Sequence, residues 1–206
     1  MCKTMRQTTR SMFLLALGFS GLMSLFASAN AFAALDPDQV MAALAAHPGG
    51  RARFVEKRYL AVLDKPLVAT GEMRYRPPDY LEKRTLTPKP ETMVLDHDML
   101  SLERDKRKLT INLSRQPEAM AFIDSIRDTL SGNREALVKN YSLSLSGTID
   151  KWVLTLLPRD PQIAALVLKI TIGGSRGQLL SVEYLQADGD RSVLSIEPID
   201  EKNKDK

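Results

Sequence analysis

Residues 68–98, VATGEMRYRPPDYLEKRTLTPKPETMVLDHD, leave this chain few ways to fold. Met73 and Tyr75 alternate with Glu72, Arg74 and Arg76, the two-residue period of a strand with one wet face. Pro77-Pro78-Asp79 then interrupts, because proline has no N–H for a ladder and stiffens a turn. A second strand reads over residues 80–86 and a second proline turn follows at Pro88 and Pro90. A third strand spans residues 92–95, and Asp96-His97-Asp98 turns the chain once more. Short strands joined by tight turns predict an antiparallel meander.

The rest of the chain extends that pattern. Asp36 caps a helix with Pro37 in its first turn and Gln39 placed for a capping box, and Leu35 and Val40 form a staple across the entry. His47-Pro48-Gly49-Gly50 ends it. Residues 53–64 read as a long strand: Phe54, Leu60 and Val62 share one face with Glu56 and Arg58, and neither face is cleanly wet. Residues 99–103 and 109–113 form a hairpin around Arg104-Asp105-Lys106-Arg107-Lys108. That cluster reads as a solvated turn, with an anionic membrane contact as the sharper alternative. Pro117 opens a second helical region in which Met120, Ile123, Ile126 and Leu130 recur at helical spacing, broken at Ser131-Gly132-Asn133. Such a stripe serves ordinary core packing or a lid over a sheet mouth equally well. Five further strands follow: residues 141–146, 151–157 with Trp152, 167–172, 179–186 and 192–196, with a short helical crossover at residues 158–166. The prediction is a mainly β, α+β fold of about ten antiparallel strands curled toward a barrel, with two or three helices on one side.

The first 33 residues read as a Sec-type signal peptide rather than part of the fold. Lys3, Arg6 and Arg10 precede an apolar run over residues 12–26, and Ala31-Phe32-Ala33 is a cleavage site. The domain is then expected over residues 34–200, with a charged, frayed tail at residues 201–206. Losing Lys3, Arg6 and Arg10 takes the 29 basic residues to 26 against 25 acidic, which removes the support for nucleic-acid binding. Cys2, the one cysteine, goes with the same segment. Export without cysteine points to a bacterial periplasm rather than to a disulfide-rich extracellular module.

Catalytic and metal chemistry find little footing, so neither an enzyme nor a cofactor is expected. His97 lies between Asp96 and Asp98, but neighbours on extended backbone point opposite ways, and a second ligand cluster is missing. No G-x-S-x-G elbow occurs, and the glycine-rich turn at Gly173 leads into a strand rather than the helix N-terminus that a phosphate loop needs.

The order of these features resembles the LolA-like family of periplasmic lipoprotein carriers across nearly all of the mature region. The N-terminal helix is followed by a strand bearing Phe54-Val55-Glu56, then Gly71, a strand ending at Pro78, Pro88 and the Asp96 turn. A helical segment and a closing meander through Leu179 and Tyr184 complete it. The resemblance implies a half-open β-barrel with a helical lid over a hydrophobic cavity for the acyl chains of a lipoprotein or lipid. It assigns Phe54, Leu60, Val62, Met73, Tyr75, Leu81, Met93, Leu95 and Trp152 to the cavity. To the lid it assigns Val40, Met41, Leu44, Met120, Ile123 and Ile126. It also implies a monomer that meets an inner-membrane exporter and an outer-membrane acceptor. Carriers of the main type latch the lid with an arginine just before the turn proline. Pro77 holds that position here, which leaves Arg76 as the nearest candidate latch. Leu81-Glu82-Lys83 replaces the aromatic wall of the main carriers and suits an acyl compound with a polar head. The alternative role is a lipid-binding sensor of the same fold that regulates an envelope partner without transport.

Overall fold

Two meanders meet where the first strand pairs with the last. In the computed structural model, which describes residues 35–47 and 49–199, the first meander is β1 (Gly50–Tyr59), β2 (Leu67–Arg76), β3 (Tyr80–Thr87), β4 (Glu91–Asp96), β5 (Met99–Arg104) and β6 (Arg107–Asn112). The second is β7 (Tyr141–Thr148), β8 (Lys151–Pro158), β9 (Val167–Ser175), β10 (Gln178–Gln186) and β11 (Arg191–Ile199). Every neighbouring pair is antiparallel, and the order β6-β5-β4-β3-β2-β1-β11-β10-β9-β8-β7 leaves β6 and β7 as free edges, so the barrel is half-open. The expected signal peptide over residues 1–33, the expected charged tail at residues 201–206 and Pro48 lie outside the described residues.

The helices sit where their caps put them. α1 (Pro37–Ala45) starts at Asp36, whose carboxylate accepts the Asp38 N–H at 3.0 Å. A 3₁₀ turn (Leu113–Arg115) leads into α2 (Pro117–Leu130). Gly132, at φ +68, reverses the chain, and Asn133 caps α3 (Arg134–Asn140). α4 (Pro161–Ala164) is the short crossover read from the sequence. The described residues thus hold eleven strands and four helices where about ten and two or three were expected. None of these helices is long and apolar enough to cross a membrane.

One boundary needs correction. β1 stops at Tyr59 instead of running to residue 64, because its pairing ends at Tyr59↔Arg191 and Arg58↔Leu67. The Ala61 N–H is then taken by the Asp190 carboxylate at 2.9 Å, which turns the backbone away from the ladder. Leu60 and Val62 therefore leave the sheet, and Val62 is 88% exposed.

The concave face is filled unevenly, and that positions the cavity. Val40, Met41 and Leu44 of α1, Ala121 of α2 and Leu137 of α3 pack with Trp152, Leu154, Leu156, Ile170, Ile172 and Val182 into one buried cluster. The indole of Trp152 fits because its strand partners are Gly147 and Gly174. A Cβ on Gly174 would lie 2.1 Å from the ring. The β7–β9 part of the face is therefore solid, and the space that remains lies under α2 against β1–β5, β10 and β11.

Candidate functional site

Strand register brings the cavity wall together. The antiparallel pairs Met73↔Lys83↔Met93 and Tyr75↔Leu81↔Leu95↔Leu100 form two rows across β2–β5. Glu56↔Leu194↔Val182 forms a third across β1, β11 and β10. Alternation puts all three rows on the concave face. α2 closes the other side with Phe122, Ile123, Ile126 and Leu130, and Phe122 meets Tyr184 edge-on at 5.5 Å between ring centroids. The space between them, partly open to solvent, is about 270 Å³ and is lined chiefly by aliphatic and aromatic side chains.

The expected wall residues divide cleanly. Met73, Tyr75, Leu81, Met93 and Leu95 line the space, as do Leu44, Ile123 and Ile126 among those assigned to the lid. Phe54 is buried beneath the wall, with the Lys83 Nζ 5.0 Å from its ring centre. Six assignments are corrected. Leu60 and Val62 sit in the β1–β2 loop, and Trp152 is sealed in the core with its N–H donated to the Arg176 carbonyl at 2.9 Å. Val40 and Met41 are core residues against the second meander and not part of a cover, and Met120 is half-buried on α2 outside the lining.

One acid and one base stand on the concave face of β1 and β3. The Glu56 carboxylate accepts from Lys83 Nζ at 2.5 Å, from the Ser192 hydroxyl at 2.8 Å and from the Tyr184 hydroxyl at 3.4 Å. Burial opposes its ionisation, but the Lys83 ammonium, with the help of Ser192, outweighs it and holds the carboxyl below its ordinary value.

The contact between α2 and the rim comes from a residue that was not anticipated. Arg127 donates through Nη1 to the His97 carbonyl at 3.0 Å and through Nε to Asp124 at 3.1 Å. Asp79, in the β2–β3 turn, and Asp98, in the β4–β5 turn, lie 3.6 and 4.0 Å from Nη1. One guanidinium thus spans the helix and two rim turns. Arg76, by contrast, lies exposed with its guanidinium 3.8 Å above the Tyr80 ring. Next to the inward-facing Tyr75 it alternates onto the outer face, because the β2–β3 register is unbroken there, so the expected latch is misplaced. The available signal was that Arg127 is basic on an amphipathic helix whose rim partners are acidic turns.

Two predictions arise from this geometry. The Tyr75 hydroxyl is buried with no hydrogen-bond partner among the described residues, a condition that costs about 1–3 kcal/mol. Tyr75→Phe is therefore expected to raise the urea midpoint of the lipid-free protein, whereas a midpoint lowered by the change would mean that the hydroxyl is satisfied. Asp128 of α2 is pushed up to about 6, first by burial and then by Asp124. An acid raised on folding opposes stability above its folded value, and that opposition fades as pH falls through 6. The protein should gain stability between about pH 8 and pH 5, and Asp128→Asn should be the more stable form at pH 8 with a flatter profile. Parallel profiles for the two forms would refute this.

His97 lies in an exposed turn with its Nδ1 2.9 Å from Asp96, and the described residues contain no cluster of three or more metal-ligating side chains.

Residues 29–196 match the family described as "Outer membrane lipoprotein carrier protein LolA-like". No curated protein gave a significant match. Among solved structures, a LolA superfamily protein from Nitrosomonas europaea is similar, with 9% identity and a TM-score of 0.41, covering 81% of this chain and 95% of that one. The MucA/MucB complex of Pseudomonas aeruginosa is similar at 15% identity and a TM-score of 0.40, covering 81% of this chain and 60% of that one.

Proposed function

This chain belongs to the LolA-like family of outer membrane lipoprotein carrier proteins, whose members are carrier and binding proteins rather than enzymes, and we propose that it is a periplasmic carrier of an acylated cargo. The observation that carries the reading is the apolar space under α2, bounded by Met73, Leu81, Met93, Leu95 and Leu100 on the sheet and by Ile123 and Ile126 on the helix. Each methylene kept from water is worth about 0.8 kcal/mol, so exposing a chain of a dozen methylenes costs about 10 kcal/mol. Crossing an aqueous compartment without a dry container is prohibitive at that cost. The cargo must also leave, so the cover has to be held by contacts that break without unfolding the barrel. Arg127 fits that requirement, since its partners are two surface turns.

In this reading the signal segment delivers the chain to the periplasm, an inner-membrane exporter loads it and an outer-membrane acceptor empties it. Native mass spectrometry of the protein purified from periplasm is expected to show a co-purifying amphiphile, and fluorescence transfer is expected to show movement of an acyl probe between vesicles. An empty protein that also takes up no acyl probe would rule the carrier out. A stable complex with an envelope protein and no transfer would replace it with the sensor reading.

A further inference from the structure

We propose that Lys83 is the docking point for an anionic head group, so that the cargo is a single-chain amphiphile ending in a carboxylate or phosphate. This rests on the carrier reading and narrows it. A buried ion pair is a poor stability device, since well-packed apolar side chains in its place are often neutral or better. Here one stands in a chiefly apolar wall, which calls for a role other than holding the sheet together.

The two partners are unequally satisfied. Glu56 is 7% exposed in its side chain and takes three donors, from Lys83, Ser192 and Tyr184. Lys83 is 20% exposed, lines the cavity and has Glu56 as its one acceptor among the described residues, although an ammonium carries three N–H donors. The Phe54 ring, 5.0 Å away, backs the ammonium without using a donor. An incoming anionic oxygen finds free donors on Lys83. An incoming cation finds a carboxylate that is already engaged and almost out of reach. The anion is the matching partner.

Size points to one chain. The space, about 270 Å³, falls just below the roughly 300–1,000 Å³ usual for small-molecule pockets. A single extended chain with its head at Lys83 is the cargo that this volume suits.

Calorimetric titration of the lipid-stripped protein with palmitate, hexadecyl phosphate, methyl palmitate and hexadecyltrimethylammonium tests the idea. Palmitate or hexadecyl phosphate should bind roughly 10- to 100-fold tighter than methyl palmitate, the range for a hydrogen bond to a charged group. Whichever of the two binds tighter identifies the head as carboxylate or phosphate. The double variant Glu56→Gln/Lys83→Met, which leaves no buried charge unpaired, should bind all four alike. Equal binding of acid, phosphate and ester by the unaltered protein, or tightest binding of the ammonium probe, overturns the head-group site while the carrier stands. Failure of all four to bind removes both.

Discussion

Replacing Lys83 with methionine is expected to lower stability by about 3 kcal/mol near pH 7, and most of that loss should vanish by pH 5. Removing one member of a buried pair strands the other, at roughly 3–5 kcal/mol. The lower end applies because Glu56 keeps Ser192 and Tyr184 as donors. The direction with pH follows from the carboxyl. In the unaltered protein Glu56 sits below its ordinary value of 4.5, so its contribution is present above that value and is lost only as pH falls further. Between pH 7 and 5 the group adds no slope. Without Lys83 the burial that already opposes ionisation is left largely unopposed, the folded value rises, and protonation relieves the variant as pH falls. The double change Glu56→Gln/Lys83→Met should restore most of the stability at both pH values. Urea melts of the three proteins at pH 7 and pH 5 read the difference directly, and Asp128, common to all, cancels in it. A deficit for Lys83→Met that is the same at both values would show that Glu56 does not carry a stranded charge.

That pair also shows what a sequence of this kind discloses. The inward positions Met73, Tyr75, Leu81, Met93 and Leu95 were legible because alternation along a strand fixes a face, whereas the place of Lys83 between Met73 and Met93 emerges only from the strand register. The antiparallel meander of about ten strands followed from the same local signals, whereas the β1–β11 pairing that joins its two halves is long-range. Three things did not follow. Leu60 to Leu63 looks like strand, but the chain leaves the ladder where Asp190, far along the sequence, captures the Ala61 N–H. Trp152 looked like a cavity wall, yet which half of the concave face is solid depends on where α1 lands, and Val40, Met41 and Leu44 land on the second meander. The family resemblance points to a rim contact beside the turn proline. It lies instead on α2, because two turns distant in sequence converge on one guanidinium only after the sheet has curled. Short-range rules specify faces and turns, whereas tertiary closure selects which inward residues meet solvent, core or cargo.

Arg127→Ala is expected to loosen α2 from the rim and speed cargo release by about 30-fold without unfolding the barrel. The guanidinium is 14% exposed and contacts the His97 carbonyl and the carboxylates of Asp124, Asp79 and Asp98. Hydrogen bonds to a charged group contribute roughly 1.5–3 kcal/mol. Asp79 and Asp98 are 34% and 47% exposed in their side chains, so solvent screens part of the pairing and about 2 kcal/mol is a fair expectation. That energy corresponds to the 30-fold figure. Ala121 stays packed in the core, and its carbonyl accepts from the Tyr141 hydroxyl at 3.2 Å, so one edge of the helix remains anchored while the Ile123 and Ile126 face gains freedom. Amide exchange should therefore quicken over residues 117–130 and stay unchanged in β8 and β9, and stopped-flow dilution of a bound acyl probe should show the faster exit. Arg127→Lys should fall between the two proteins, because an ammonium cannot reproduce the planar fork that reaches several acceptors at once. Arg76→Ala is the control: its guanidinium stacks on Tyr80 outside the barrel, and its loss should leave release unchanged. If release quickens in Arg76→Ala and not in Arg127→Ala, the cover is held from the strand end and the clasp assigned to α2 is wrong.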